Sequence, residues 1–332
     1  MSICLCNLSA DVALELAAQQ KLELVPASPD ISSFAADAEV AKEALGEFAK
    51  QLPHPIELLV DKRGKRRHAP GAAYHVWSGP LPKNSVFQLY QGVYVSSPEF
   101  TLLQQASQLH QANLCQMLGR YLGTWTPNKN EPLGQDVRAP LTSFESVKEF
   151  LEGVGRAWGK NNLKLALAYT CEGAASAPET SLQLALSLPP ELHGLGILQP
   201  TMNYENELSP AAQKIYPHDT IRIDLCWRHK KFGLEHQGKE HGKQLGKDYA
   251  RWFAARMMGY ELWFVAQEQL ESAKQLMYIA RELVKRIDAD VDTEAWPTES
   301  EFQDLLDILA GKTHPKPVSF KELRKRRAAA RE

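Results

Sequence analysis

The chain has 332 residues, 44% of them hydrophobic, so it is long enough for two domains and has the composition of a globular protein. Its formal net charge of −2 excludes a uniformly basic surface, and any DNA contact must come from local clusters of cations. No apolar run approaches the ~20 residues that cross a bilayer, and the start lacks a signal-peptide pattern. These features predict a cytoplasmic protein without a membrane partner.

The first 123 residues predict a small α+β domain. Residues 1–8 favour a strand, Ser9 is typical of the N-cap of a following helix, and residues 33–51 have the apolar spacing of a second helix. Further strands are predicted at 56–60, 74–77, 85–90 and 93–95, and further helices at 98–109 and 111–121.

Two basic segments are candidate phosphate contacts. Five of the seven residues from Asp61 to Arg67 are cations, and the tail from Lys312 to Glu332 is also rich in Lys and Arg. Both segments are equally typical of solvated surface, so the sequence leaves both interpretations open. The candidate DNA-binding cations of the turn are Lys62, Arg63, Lys65, Arg66 and Arg67.

Cysteine spacing excludes a structural zinc site. The five cysteines include no Cys-x-x-Cys pair, and no histidine lies at zinc-finger spacing from them. Cys4 and Cys6 would share one face of a strand, and we expect buried, reduced thiols.

A segment rich in Pro, Asn and Gly at 124–142 predicts a linker, followed by a second domain at 143–290 and a helical extension with a basic tail at 291–332. Helices are predicted at 143–152, 161–171 and 176–188, with a serine cap on the first and Pro178 in the first turn of the third. A strand is predicted at 194–199 and a surface loop at 203–217. After residue 238 we expect a helix at 244–258, a strand at 260–265 and a helix at 267–286.

The most informative stretch is a predicted hairpin at 219–238. Alternating β-forming residues place Asp224 on the opposite face from its apolar neighbours, and Glu235 and Gln237 project from one side of the next strand. Asp224 and Glu235 could then reach one divalent cation, with the carbonyl oxygen of His236 as a third ligand. Hard cations such as Mg²⁺ prefer this set of oxygen atoms.

An Asp, a turn of about ten residues and a Glu-x-polar strand resemble the PD-(D/E)xK nuclease core of restriction enzymes, very-short-patch-repair-type endonucleases and Holliday-junction resolvases. The surrounding residues strengthen this resemblance. They are Ser-Ala-Pro-Glu-Thr at 176–180, Gln-Pro-Thr-Met-Asn at 199–203, and then His241, Lys247, Asp248 and Arg251. Together they resemble the endonuclease-like domain that bacterial genomes carry alone or joined to AbiEi-type antitoxin segments.

This resemblance implies a restriction-endonuclease-like α/β (α+β) fold with a central mixed sheet flanked by helices, a Mg²⁺ or Mn²⁺ cofactor and a DNA partner. It implies Asp224 and Glu235 as metal ligands, joined by Glu179 from the preceding helix, and Gln237 and His241 as residues that position the attacking water. Arg251 would contact DNA. Glu179 is equally typical of a residue that complements its helix dipole.

The chain departs from the family pattern at Gln237, where relatives usually carry Lys or Asp. Two functions therefore remain open. One is a metal-dependent DNA endonuclease acting in defence or DNA processing, and the other is a catalytically silent protein of the same fold that acts as a DNA-binding antitoxin or transcriptional regulator. No glycine-rich phosphate loop is present, so we expect no nucleotide cofactor, and a homodimer stays open.

Overall fold

The computed structural model describes residues 2–35, 37–62, 71–128, 130–131, 134–238, 245–287 and 290–316. In this part of the chain, no helix is both long and apolar enough to span a membrane. The chain divides into two compact units, unit 1 with Met1–Leu109 and Thr126–Lys164, and unit 2 with His110–Trp125 and Leu165–Glu332. Each unit combines helices with strands, so the expected α+β class is confirmed.

The elements of the first half of the chain are β1 (Ile3–Leu5), α1 (Asn7–Gln19), β2 (Val25–Ala27), α2 (Ala38–Leu45), β3 (Ile56–Val60), β4 (Ala72–Val76), β5 (Val86–Tyr90), β6 (Val93–Ser96), α3 (Pro98–Gln105), α4 (Gln111–Leu122), β7 (Trp125–Pro127), β8 (Gln135–Val137), α5 (Phe144–Gly153) and α6 (Lys160–Tyr169). The second half has α7 (Ala177–Ser187), β9 (Thr201–Glu207), α8 (Pro210–Gln213), β10 (Thr220–Trp227), β11 (Phe232–Gln237), α9 (Leu245–Met257), β12 (Glu261–Ala266), α10 (Gln267–Leu270), α11 (Ala273–Ile287) and α12 (Glu299–Leu309).

Unit 1 is built on a mixed sheet with the strand order β2-β5-β6-β1-β3-β4. Its central strand β1 is fully buried, and it pairs parallel with β6 and antiparallel with β3. Helix α1 packs against α3 and β3. The buried carboxylate of Glu15 on α1 is neutralised by Arg138, whose Nε lies 2.8 Å from it.

Unit 2 is built on a four-stranded sheet with the order β9-β10-β11-β12. The first three strands are antiparallel, whereas β11 and β12 are parallel and are connected through helix α9. The order α7, β9, α8, β10, β11, α9, β12 has as many strands as the predicted succession of helix, three strands, helix and strand, although the first strand lies at 201–207 instead of 194–199. The predicted hairpin at 219–238 is confirmed as β10 and β11.

A glycine in β11 allows close packing of this sheet. A Cβ atom at Gly233 would lie 2.4 Å from Ile223 Cγ2 on β10 and 2.8 Å from Leu262 Cδ2 on β12. Ile223 and Leu262 belong to the buried cluster that packs against α9 through Ala254 and Ala255. Strand β11, which carries Glu235, is therefore packed closely against both of its neighbours, β10 and β12.

Helix α7 lies in the interior of unit 2. Its leucines 182, 184 and 186 are fully buried, and α7 contacts both α4 and α12. Helix α4 approaches closely at Gly119, where a Cβ atom would lie 2.6 Å from Thr180 Cγ2. The helix begins close to the predicted start at 176, and Ser176 caps it, because its hydroxyl oxygen accepts a hydrogen bond from the Glu179 N–H.

The prediction for β9, the first strand of this sheet in chain order, was wrong. Residues 194–199 form no strand, and the strand is β9 at 201–207, in a segment predicted to be a surface loop. The physical reason is that β9 is an edge strand with exposed polar residues, so it lacks the apolar pattern by which buried strands are recognised.

Two helix starts also differ from the prediction. Helix α1 begins at Asn7, and Ser9 is buried within it, where its hydroxyl accepts a hydrogen bond from the Glu57 N–H at 2.9 Å. Helix α2 begins at Ala38 because the Asp37 side chain accepts from the N–H groups of Glu39 and Val40. In contrast, Ser143 caps α5 as predicted.

The boundaries of the two units differ from those expected for the domains. The predicted linker at 124–142 contains the paired strands β7 and β8, and residues 126–164 group with unit 1. Helix α4 groups with unit 2 because it packs on α7 and α12. Composition alone does not reveal such a discontinuous unit.

Candidate active site

Asp224 lies on β10, between two residues whose side chains are buried on the other face. Ile223 and Leu225 are fully buried, whereas Arg222 is exposed and Asp224 is partly buried. The ladder pairs Leu225 with Leu234, and the next step of this register brings Asp224 opposite Glu235. The His236 N–H donates to Asp224 Oδ2 at 2.9 Å, which holds the carboxyl against β11.

Glu235 is the most deeply buried acid of the site, with 2% of its side chain exposed. Its Oε2 accepts a hydrogen bond from Arg251 Nη2 on α9, which also forms an ion pair with it. Its Oε1 is buried and has no hydrogen-bond partner in the part of the chain that the structure describes. A buried carboxylate oxygen that lacks a hydrogen-bond partner lowers the stability of the fold.

The electrostatics of the pair favour the protonated or metal-bound state. Burial raises the pKa of Asp224 well above its ordinary value, and the Glu235 and Glu179 carboxylates raise it further. Burial also raises the pKa of Glu235, although Arg251 opposes that shift. Either a proton or a cation is needed to relieve the repulsion among these carboxylates.

Glu179 lies in the first turn of α7 and is held by three donors. Its carboxylate accepts hydrogen bonds from the Ala175 N–H at 2.9 Å, the Ser176 hydroxyl at 2.8 Å and Asn203 Nδ2 at 2.5 Å. Asn203 lies on β9 and also donates to the Gly173 carbonyl oxygen at 2.9 Å. Both oxygens of Glu179 thus have protein donors, while its charge acts on Asp224 and Glu235.

Among the described residues, no group of three His, Cys, Asp or Glu side chains is arranged to hold a metal ion. The described residues therefore do not assemble the expected ligand set of Asp224, Glu235 and Glu179, and both oxygens of Glu179 accept hydrogen bonds from other groups. The pair Asp224 and Glu235 still fits a hard cation, since both supply oxygen atoms and Oε1 of Glu235 has no hydrogen-bond partner within the described part of the chain.

The other predicted site residues are placed as follows. Gln237 ends β11 and is half-buried beside Ala266 of β12, and the His236 ring lies 2.9 Å from Gln267 Oε1. Lys62 is exposed in unit 1, with its Nζ 3.9 Å from Asp61. The remaining candidates lie outside the described residues, namely Arg63, Lys65, Arg66, Arg67 and His241.

Arg251, which the resemblance implied as a DNA contact, has several contacts within the protein. Besides its pair with Glu235, it donates to the Arg222 carbonyl oxygen at 3.4 Å, and it interacts electrostatically with Tyr216. Sequence reasoning missed the Arg251–Glu235 and Asn203–Glu179 contacts. The sixteen-residue separation of the first pair carries no periodic signal, and only the crossover β11–α9–β12 brings the two residues together.

Comparisons of the chain with protein-family models, with curated proteins and with solved structures found no match. The functional argument therefore rests on the chemistry of the hairpin and on the residues around it.

Proposed function

We propose that this protein is a metal-dependent endonuclease that hydrolyses phosphodiester bonds of DNA at the β10–β11 hairpin. The observation that carries the proposal is the pair Asp224 and Glu235 on adjacent strands, with a buried Glu235 oxygen that has no hydrogen-bond partner among the described residues. The surrounding order of α7, three antiparallel strands, α9 and a parallel strand supports the resemblance to the PD-(D/E)xK core.

Asp224 and Glu235 would hold a divalent cation such as Mg²⁺ or Mn²⁺, which supplies Lewis-acid polarisation of the phosphate and a more acidic water. The remaining chemistry belongs to the chain. The Gln237 amide orients the water by hydrogen bonding but cannot take its proton, and His241 is the proposed base. Asn203 and Ser176 hold the Glu179 carboxyl group in place by hydrogen bonds, and this group interacts electrostatically with Asp224 and Glu235.

A second function is favoured by one specific contact. Arg251 already neutralises Glu235 without a metal, and Gln237 replaces the family's usual Lys. A site satisfied in this way is compatible with a catalytically silent protein that binds DNA as an antitoxin or regulator. The same assay distinguishes the two functions.

The test is cleavage of supercoiled, linear duplex and single-stranded DNA with Mg²⁺ or Mn²⁺. We expect wild type to cleave at least one form, and Asp224→Asn to lower the rate by more than about 100-fold because it removes a ligand charge. Gln237→Lys should keep or raise activity. Asp219→Asn, an exposed acid just before β10, is the matched control and should cleave like wild type.

Absence of cleavage on every DNA form, together with no thermal shift from either cation, would eliminate the endonuclease. DNA binding that persists in that case would support the silent protein.

A further inference from the structure

We infer that the exposed face of helix α9 binds the unpaired bases of single-stranded DNA beside the β10–β11 hairpin. This face consists of Tyr249, Phe253, Arg256 and Met257. The inference rests on the proposed function for the choice of DNA as the polymer, and it adds that the DNA has a single-stranded segment.

Helix α9 buries small residues and exposes large apolar ones. Ala254 and Ala255 are fully buried in the cluster under the helix. The exposed fraction is 66% for Tyr249, 48% for Phe253 and 44% for Met257. Stability alone would favour the opposite arrangement, because burial of large apolar side chains contributes most to the fold. A patch of such side chains on the surface is typical of an interaction site.

The three large side chains form one stripe along the helix. Tyr249, Phe253 and Met257 are spaced by four residues, so each is about 6 Å along the helix from the next. The half-buried Trp252 ring lies beside that of Phe253, with ring centroids 6.5 Å apart, and packs against the buried cluster. Two aromatic rings, those of Tyr249 and Phe253, are thus accessible to a partner on a supported surface.

The charges of α9 favour a polyanion as the partner. Its exposed charged residues in the described chain are Lys247 and Arg256, and neither has an ion pair with a described residue. The one acid of the helix, Asp248, is half-buried. At the other end of α9, Lys231 of the β10–β11 turn donates to the Met258 carbonyl oxygen at 3.1 Å and adds a further cation. Nucleic acid complements both the cations and the aromatic rings.

Single-stranded DNA fits this face better than a duplex or a second copy of the chain. Bases in a duplex stack on one another, so only unpaired bases have free faces for the rings of Tyr249 and Phe253. A second copy would bring the same cations to the face and no exposed acid of α9 to pair with them.

The face is close to the proposed site. Arg251 on the inner side of the same helix contacts Glu235, and Phe253 lies on the outer side. A helix with its side chains is about 10–12 Å across, a distance that a few nucleotides span. A strand held on α9 can therefore continue to the hairpin.

The experiment is fluorescence anisotropy of the full-length protein with a labelled thymidine oligonucleotide of about 16 nucleotides, in EDTA to prevent cleavage. We expect wild type to bind this strand more tightly than a duplex of the same length. Tyr249→Leu and Phe253→Leu keep an apolar side chain but remove the ring, and each should weaken single-strand binding at least about fivefold. Phe253→Tyr should bind like wild type.

Tyr278→Leu is the matched control. Tyr278 is an exposed aromatic residue on α11 of the same unit, and its replacement should leave the affinity unchanged. Arg256→Gln should weaken binding and make the dependence of log affinity on log salt shallower by about 0.7.

Leucine variants that melt like wild type and bind the single strand with wild-type affinity would overturn the inference, as would tighter binding of the duplex by wild type. If neither leucine variant folds, the preference of wild type between strand and duplex decides. Dimers in sedimentation that Phe253→Ser converts to monomers would assign the face to a second copy and also overturn the inference.

The result separates this inference from the endonuclease. DNA cleavage by wild type, with normal binding by the leucine variants, would remove the inference and leave the endonuclease intact. Single-strand binding that depends on Tyr249 and Phe253 in a protein that cleaves no DNA would support the inference for the catalytically silent protein.

Discussion

At the scale of single residues, the hairpin holds groups that a purely structural sheet would avoid. Two acids with raised pKa values lie next to each other, and one of their oxygens is buried with no hydrogen-bond partner in the ranges that the structure describes. Stability alone would favour apolar residues at both positions. Such local costs are typical of functional sites, where residues are selected for chemistry instead of stability.

The apo protein should lose stability as pH rises. Burial raises the pKa values of Asp224 and Glu235 in the folded state, so both bind protons more tightly when folded than when unfolded. The stability that proton binding by these two carboxyl groups adds to the folded state is complete below the ordinary carboxyl pKa, near pH ~4. It is lost as the pH rises through the raised pKa values of the folded state. Glu179 adds repulsion, whereas Arg251 reduces it. Thermal melts from pH 5 to 9 without divalent cations measure the effect.

Asp224→Asn is the matched variant for this measurement. It removes one of the repelling charges, while its amide oxygen can still accept from the His236 N–H. We expect it to be more stable than wild type at pH 8 by about 1–2 kcal/mol, the scale of one pKa unit, and to show a flatter pH dependence. Mn²⁺ should stabilise wild type more at pH 8 than at pH 5. Parallel melting curves for both proteins would contradict the proposed electrostatics.

At the scale of elements, the sequence predicted the features that depend on contacts between residues close together in the chain. Ser143 was recognised as a helix cap because its hydroxyl and the N–H it accepts from lie within three residues of each other. Strand β10 was predicted because apolar and polar residues alternate along its first half. Strand β9 was missed, since its place is set by pairing with β10 and not by its own pattern.

The crossing of α4 and α7 gives an element-scale prediction. Gly119→Val should destabilise the protein by about 1–3 kcal/mol, because its side chain would overlap with Thr180, which is buried and donates to the Ser176 carbonyl oxygen at 3.1 Å. Gly153→Ala at the end of α5 is the control, since a Cβ atom there has no neighbour within 4 Å. Denaturant unfolding measures both variants. Equal stability of Gly119→Val and wild type would show that this close approach is not a constraint.

At the scale of the whole molecule, unit 2 is assembled from two separate parts of the chain. The sequence suggested that a domain at 143–290 is self-contained, but helix α7 is buried by α4 from before this range and by α12 from after it. Pro- and Gly-rich composition marks irregular chain, and it does not reveal which helices bury each other. The division into units therefore could not be predicted from composition.

A fragment of residues 143–290 should fail to fold cooperatively. It lacks α4 and α12, so the buried leucines of α7 would be exposed to solvent, at a cost of roughly 2 kcal/mol for each such side chain. Circular dichroism melting and binding of a hydrophobic dye compare the fragment with the full chain. A sharp thermal transition without dye binding would show that α4 and α12 are dispensable for the unit.

The central claim is that Asp224 and Glu235 together hold a divalent cation. Crystals of the full-length protein grown with Mn²⁺, measured at a wavelength where manganese scatters anomalously, test this claim most directly. The account predicts an anomalous peak between the Asp224 carboxylate and Oε1 of Glu235, with Arg251 still on Oε2. A map without a peak at these two carboxylates at saturating Mn²⁺ would contradict it.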